Sequence, residues 1–268
     1  MPERDAATTH QFGQNTEVHT KSALSLTLFC LGDVDRALEI GADALRSGDM
    51  LRHPHSTAIP LGYVGGWVFG LCDASDNLMH EARRLLTLSE QHRLTAFGAF
   101  GNIFLGWAMA QQGELEKGAE KIERGVQILE SIEFRLSLCG FLALLADVRR
   151  QQGNLQAAEA VCARAVDLIA AGSSVWFEPE LRRIEALIWR ETKGPASAEK
   201  ALRSAVACAQ ALAFPVLERR CLVSLKQLLG PTHRDLEIEA RLEQLAYLGD
   251  LDQRVSRIMG APMELLKA

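Results

Sequence analysis

The side chains best suited to chemistry are three arginines, Arg150, Arg183 and Arg190, with two carboxylates, Asp147 and Glu180, set among them. A guanidinium is planar and permanently charged, and its fork of donors matches a carboxylate through two parallel hydrogen bonds. Upstream stand four large aromatics, Tyr63, Trp67, Phe100 and Trp107, whose rings can floor a binding surface. The surface they predict is aromatic toward the N-terminal half and charged toward the C-terminal half. Each residue also has a structural reading. Aromatics at helical spacing fill the space between helices, and arginines decorate solvated faces. Glu180 and Arg183 stand three residues apart, so they can pair along one helix.

The chemistry of turnover is missing from the pattern. No Ser/His/Asp or Cys/His set has the spacing of an activated nucleophile. His53-Pro54-His55 offers two histidines without a third ligand nearby and reads as a loop. No GxxxxGK[ST] phosphate loop, cyclase-type metal carboxylate or recognition-helix module is present. The cysteines, Cys30, Cys72, Cys139, Cys162, Cys208 and Cys221, lie far apart on apolar faces and read as small buried hydrophobes in a reducing cytosol. The expectation is a non-enzyme without metal or cofactor.

Positioning these side chains falls to a repeat. Leu105-Gly106, Gln112-Gly113, Gly118, Ile122 and Gly125 are echoed by Leu145-Ala146, Gln152-Gly153, Ala158, Cys162 and Ala165. Turn residues recur at 32, 73, 113, 153 and 193, with separations of 41, 40, 40 and 40. A fixed period of that size predicts stacked helical hairpins. They are placed at about 16–31 and 33–51, 58–72 and 75–91, 94–112 and 115–132, 134–152 and 155–171, and 177–192 and 196–212. A helix over 215–229 caps the last hairpin, and two charged amphipathic helices follow at about 233–247 and 250–259. Residues 1–15 read as a flexible leader, 16–230 as the repeat domain and 231–268 as C-terminal helices and tail. Small residues at 106, 146 and 186 on first helices, and at 118, 158 and 198 on second helices, predict close helix contact. Pro60 falls either in the first turn of its helix or at a kink.

Composition narrows the partners. A hydrophobic fraction of 48% in 268 residues supplies a real core. A net charge of -5 argues against broad nucleic-acid or anionic-lipid binding. The longest apolar run, 59–72, is too short to span a bilayer, and the first twenty residues are polar, so a cytoplasmic location is expected.

At its Leu-Gly/Ala, turn-glycine and small-residue positions the chain resembles a tetratricopeptide repeat (TPR). The resemblance implies an all-α, TPR-like superhelix, or solenoid, of about five hairpins plus C-terminal capping helices. First helices then line a concave groove holding Tyr63, Trp67, Phe100, Trp107, Asp147, Arg150, Glu180, Arg183 and Arg190. Phe12-Gly13-Gln14-Asn15, Leu31-Gly32-Asp33, Gly106-Trp107-Ala108-Met109-Ala110, Leu144-Leu145-Ala146-Asp147 and Glu178-Pro179-Glu180-Leu181-Arg182-Arg183-Ile184 follow one another in order. That order is similar to the C-terminal repeat region (MalT/LuxR-type) of bacterial adenylate cyclase-like and winged-helix signalling ATPase regulators. The similarity implies a regulatory interaction or sensor part that binds a peptide or partner protein in its groove; the alternative is a sensor holding a small-molecule inducer between Trp67, Trp107 and the arginines. Because the polar leader cannot cover the first hairpin, either an upstream ATPase or winged-helix domain or a homodimer contact is expected there.

Overall fold

The computed structural model describes residues 13–172, 175–231 and 234–260. The leader expected over 1–15 therefore lies, apart from residues 13–15, outside the described residues, as does the apolar tail at Met263, Leu265 and Leu266. The described chain is all helix: α1 Thr16–Cys30, α2 Val34–Leu51, α3 Pro54–Pro60 continuing through Leu61–Val68 into Phe69–Leu71, α4 Ser75–His92, α5 Thr95–Gln111, α6 Leu115–Ser131, α7 Leu138–Gln151, α8 Leu155–Ala170, α9 Glu178–Thr192, α10 Pro195–Ala211, α11 Pro215–Leu229, α12 Leu236–Gln244 and α13 Leu251–Met259. The expected all-α helical-repeat class is the class observed.

The helices group into two compact units, α1–α6 with α13 and α7–α12. In the first, α4 packs on both α3 and α5, and α13 returns to lie on α2. In the second, α9 packs on α7, α8, α10 and α11, while α12 docks on α11. Within the units, second helices touch the first helices after them (α2 on α3, α4 on α5, α8 on α9, α10 on α11), and first helices touch in turn, α3 with α5 and α9 with both α7 and α11, which buries both faces of a hairpin that could not stand alone.

Local chemistry at the corners sets this pattern. At Gly113 and Gly153 the backbone enters the left-handed region, with φ of +90° and +77°, where a glycine meets no Cβ penalty. The residue after each closes the six-to-one hydrogen bond of a Schellman cap, Glu114 to Met109 and Asn154 to Arg149. Asp73 takes the same place at φ 56°. The fifth corner differs: Lys193 keeps a negative φ, and the left-handed step passes to Gly194, directly ahead of Pro195 at the start of α10. A second series of left-handed residues, Arg52, Arg93, Glu133, Gly172 and Ala213, marks the junctions between hairpins.

The small residues sit where helices cross. A Cβ on Gly106 would stand 2.5 Å from the Gly118 carbonyl oxygen, and one on Gly125 would stand 2.6 Å from that of Ala99. Ala146, Ala158, Ala186 and Ala198 are fully buried at the matching positions of the second unit. The second hairpin departs from expectation. The loop expected at His53-Pro54-His55, ahead of a helix from about 58, is instead a helix start: His53 caps α3 and Pro54 begins it, so His55 is helical. Pro60 lies inside the helix, and the register passes from α to π over Leu61–Val68 immediately after it. A proline has no N–H to donate to the preceding turn.

Candidate functional site

The charged side chains expected on first helices do gather within the second unit. On α7, Arg150 donates from Nε and Nη2 to Asp147 Oδ1 at 3.0 and 2.9 Å, and both residues stay half-buried. On α9, Arg183 grips Glu180 with two bonds, Nε to Oε2 at 2.9 Å and Nη2 to Oε1 at 2.7 Å, and its Nη1 donates to Ser224 of α11 at 3.2 Å. Arg220, also on α11 and 40 residues beyond Glu180, donates to Glu180 Oε1 at 3.1 Å. The network thus joins first helices one repeat apart. Arg190 lies at the exposed end of α9, 3.6 Å from Glu191, which also approaches Arg150 at 4.0 Å.

Burial separates the enclosed members of the cluster from those that touch solvent. Burial opposes ionisation of Glu180, but Arg183 and then Arg220 outweigh it and hold its carboxyl at about 2. Glu180 and Arg183 are 3% and 9% exposed, so they are a buried ion pair. This corrects their expected role as groove contacts: the three donor groups of Arg183 are already engaged from within. Arg150 and Arg220, half-buried, and Arg190, exposed, keep contact with solvent. Arg220 was not foreseen, although its 40-residue offset from Glu180 is the repeat period.

The aromatic half belongs to the first unit. Trp67 and Trp107 are 6% and 8% exposed, with ring centroids 6.3 Å apart. Trp67 meets Phe104 edge-on at 5.5 Å. Trp107 lies against Gly70 and Phe104 against Gly66, glycines of α3 whose missing side chains make room for the rings. Both tryptophans therefore pack between α3 and α5 and do not floor an open groove. A metabolite held by them would first have to displace this packing. Tyr63 and Phe100, on the same helices, remain half-buried. Tyr63 faces His19 at 6.1 Å, and Phe100 meets Phe97, which in turn meets His55 at 5.1 Å. Burial, then His53 and His19, pushes the His55 imidazole below its usual range. His19 and Phe97 carried no signal in the sequence, and His55 was read only as part of a loop, since the company these residues keep depends on hairpins stacking in one register.

Among the described residues no group of three or more His, Cys, Asp or Glu is placed to hold a metal ion, and no helix is long and apolar enough to cross a membrane. No protein-family model matches the sequence. No curated protein sequence matches it either. Among solved structures, the apo form of RapI is similar in fold, with a TM-score of 0.58 over 91% of this chain and 84% of that one, at 13% identity.

Proposed function

We propose that the protein is a non-enzymatic scaffold that holds a peptide segment of a partner protein against α7, α9 and α11, as the interaction or sensor part of a bacterial regulator of the type its sequence resembles. The observation that carries this reading is the buried Glu180–Arg183–Ser224–Arg220 network. A buried ion pair is a costly way to stabilise a core, since apolar residues of the same volume do as well or better. Here it fixes side chains on adjacent first helices and leaves Arg150, Arg190 and Arg220 at the surface. Groups ordered beforehand lose less entropy when a ligand arrives, and guanidiniums favour carboxylates. The expected ligand is an acidic peptide.

Selection of a random displayed peptide library against the full chain tests this. Enriched sequences should carry Asp or Glu, and Arg150→Glu combined with Arg190→Glu should weaken them about tenfold or more, roughly 1.4 kcal/mol. Lys200→Glu, on an exposed stretch of the second helix α10, should not. Peptides without acidic residues, or equal binding by the double variant, would remove the reading.

A further inference from the structure

The first unit gathers three histidines at two helix starts. His19 lies one turn into α1, whereas His53 caps α3 and His55 follows it in the first turn. A hydrogen bond ties the two starts together: the Asn15 N–H donates to Ser56 Oγ at 2.8 Å, and Asn15 Oδ1 accepts from the Val18 N–H of α1 at 3.0 Å. Asn15 and Ser56 are buried, so water cannot replace this bond.

At each histidine the Nδ1 atom has no room for a proton. The Ser56 N–H donates to His53 Nδ1 at 3.3 Å, and the Ser56 hydroxyl stands 2.9 Å from the same nitrogen. Gln14 Nε2 donates to His19 Nδ1 at 2.8 Å. An amide N–H only donates, so both ring nitrogens are acceptors and carry no proton. His55 Nδ1 is enclosed without a hydrogen-bond partner. The neighbouring elements offer these rings little countercharge: α5 presents Phe97 to His55, and α3 presents Tyr63 to His19. On α1, Glu17 is engaged by Lys21, which also holds Asp43 of α2. Arg52, just before His53, and Glu90, His92 and Arg93, around the end of α4, are exposed to solvent.

We propose that His19, His53 and His55 form a proton-sensitive clasp: neutral, they hold the starts of α1 and α3 together, and on mild acidification their charging parts the two. A proton on His53 Nδ1 strands the buried Ser56 N–H, and one on His55 buries a charge beside Phe97. The helix macrodipole opposes both, since these rings sit at the positive end of α3. Burial, then His53 and His19, already depresses the His55 imidazole. A depressed histidine takes its proton more readily in the unfolded chain, so the stability His55 lends is full above about pH 6.5 and is lost as the pH falls below that value. The clasp lies wholly in the first unit, so it and the peptide reading can fail separately.

Amide hydrogen exchange of the full chain at about pH 7.5 and about pH 5.5, each corrected for the intrinsic rate, tests it across the range in which histidine charges. Peptides covering 14–20 and 53–60 should exchange at least about fivefold faster at the lower pH, while peptides of α9 keep their protection. His19→Gln, His53→Asn and His55→Phe together remove the titrating rings, and asparagine still caps α3; this variant should exchange alike at both pH values. Should it not fold, His53→Asn alone keeps the test decisive, because its cap takes up no proton, and it should lose at least about half of the response. Equal protection of the wild type at the two pH values would overturn the proposal. So would a full response in either variant, which would assign the titration to another group of this unit, such as Glu81, whose carboxyl burial raises.

Discussion

Replacing Gly106 with alanine tests the packing on which the repeat depends. The new Cβ would stand 2.5 Å from the Gly118 carbonyl oxygen, 2.8 Å from Ile122 Cγ1 and 2.9 Å from the Ile122 nitrogen. Two of those atoms are α6 backbone and cannot swing aside. Gly118 returns the contact, since its own Cβ would lie 2.7 Å from the Gly106 oxygen. Restoring ordinary contact requires the helices to part by about 1 Å. Overpacking of this kind costs about 1–3 kcal/mol, while alanine recovers about 1 kcal/mol of helix propensity over glycine. With backbone on both sides the clash wins, and we expect a net loss of about 1–2 kcal/mol, rising to about 3 for Gly106→Leu. For a chain of this size that is roughly 3–6 °C in Tm for the alanine variant. Gly98, on the same helix, is the control: its Cβ would meet only Ser89 Cβ, at 3.5 Å. Gly98→Ala should therefore gain about 0.5–1 kcal/mol. Thermal unfolding followed by circular dichroism at helical wavelengths reads both. A Gly106→Ala protein as stable as wild type would refute the backbone-to-backbone crossing of α5 and α6.

Glu180→Gln should cost about 3 kcal/mol at neutral pH, because it leaves Arg183 buried without its anion. With a folded value of about 2, well below the ordinary 4.5, the stability Glu180 contributes is fully present above about pH 5 and is lost as the pH falls toward 2. Denaturant unfolding at pH 7, 4 and 3 should show the gap between variant and wild type narrowing on acidification. Burial pushes the Cys162 thiol up to about 12 and the Cys221 thiol higher still. Native protein should therefore leave Cys72, Cys139, Cys162 and Cys221 unlabelled by a thiol reagent that labels them once unfolded; mass spectrometry of the labelled peptides reads this, and rapid native labelling would contradict the packing.

Much of the fold could be read from residue types because its determinants are local. A glycine after Gln112 or Gln152 announces a left-handed helix end by itself, and Gly106 opposite Gly118 marks a crossing by size alone. Asp73 and Lys193 are placed at corners by period rather than by type; Asp73 keeps the left-handed backbone of the glycine corners, whereas at Lys193 that step moves to Gly194. The π-helical passage after Pro60 had no periodic signal, since 59–72 is apolar on every face. The charged cluster was half legible. Glu180 and Arg183 announce each other at helical spacing, but their burial is imposed by Ser224 and Arg220 a repeat away. For Trp107, and for the Phe104 that Trp67 packs on, the deciding neighbours are absences, Gly70 and Gly66, and glycines on one helix identify the rings they receive only once the hairpins are stacked.

The central claim is that recognition occurs on first helices. Hydrogen–deuterium exchange of the chain with and without a library-selected peptide tests it most directly. Slowed exchange confined to α7, α9 and α11 is the result expected. Protection on α8 and α10 instead, or none at saturating peptide, would contradict it.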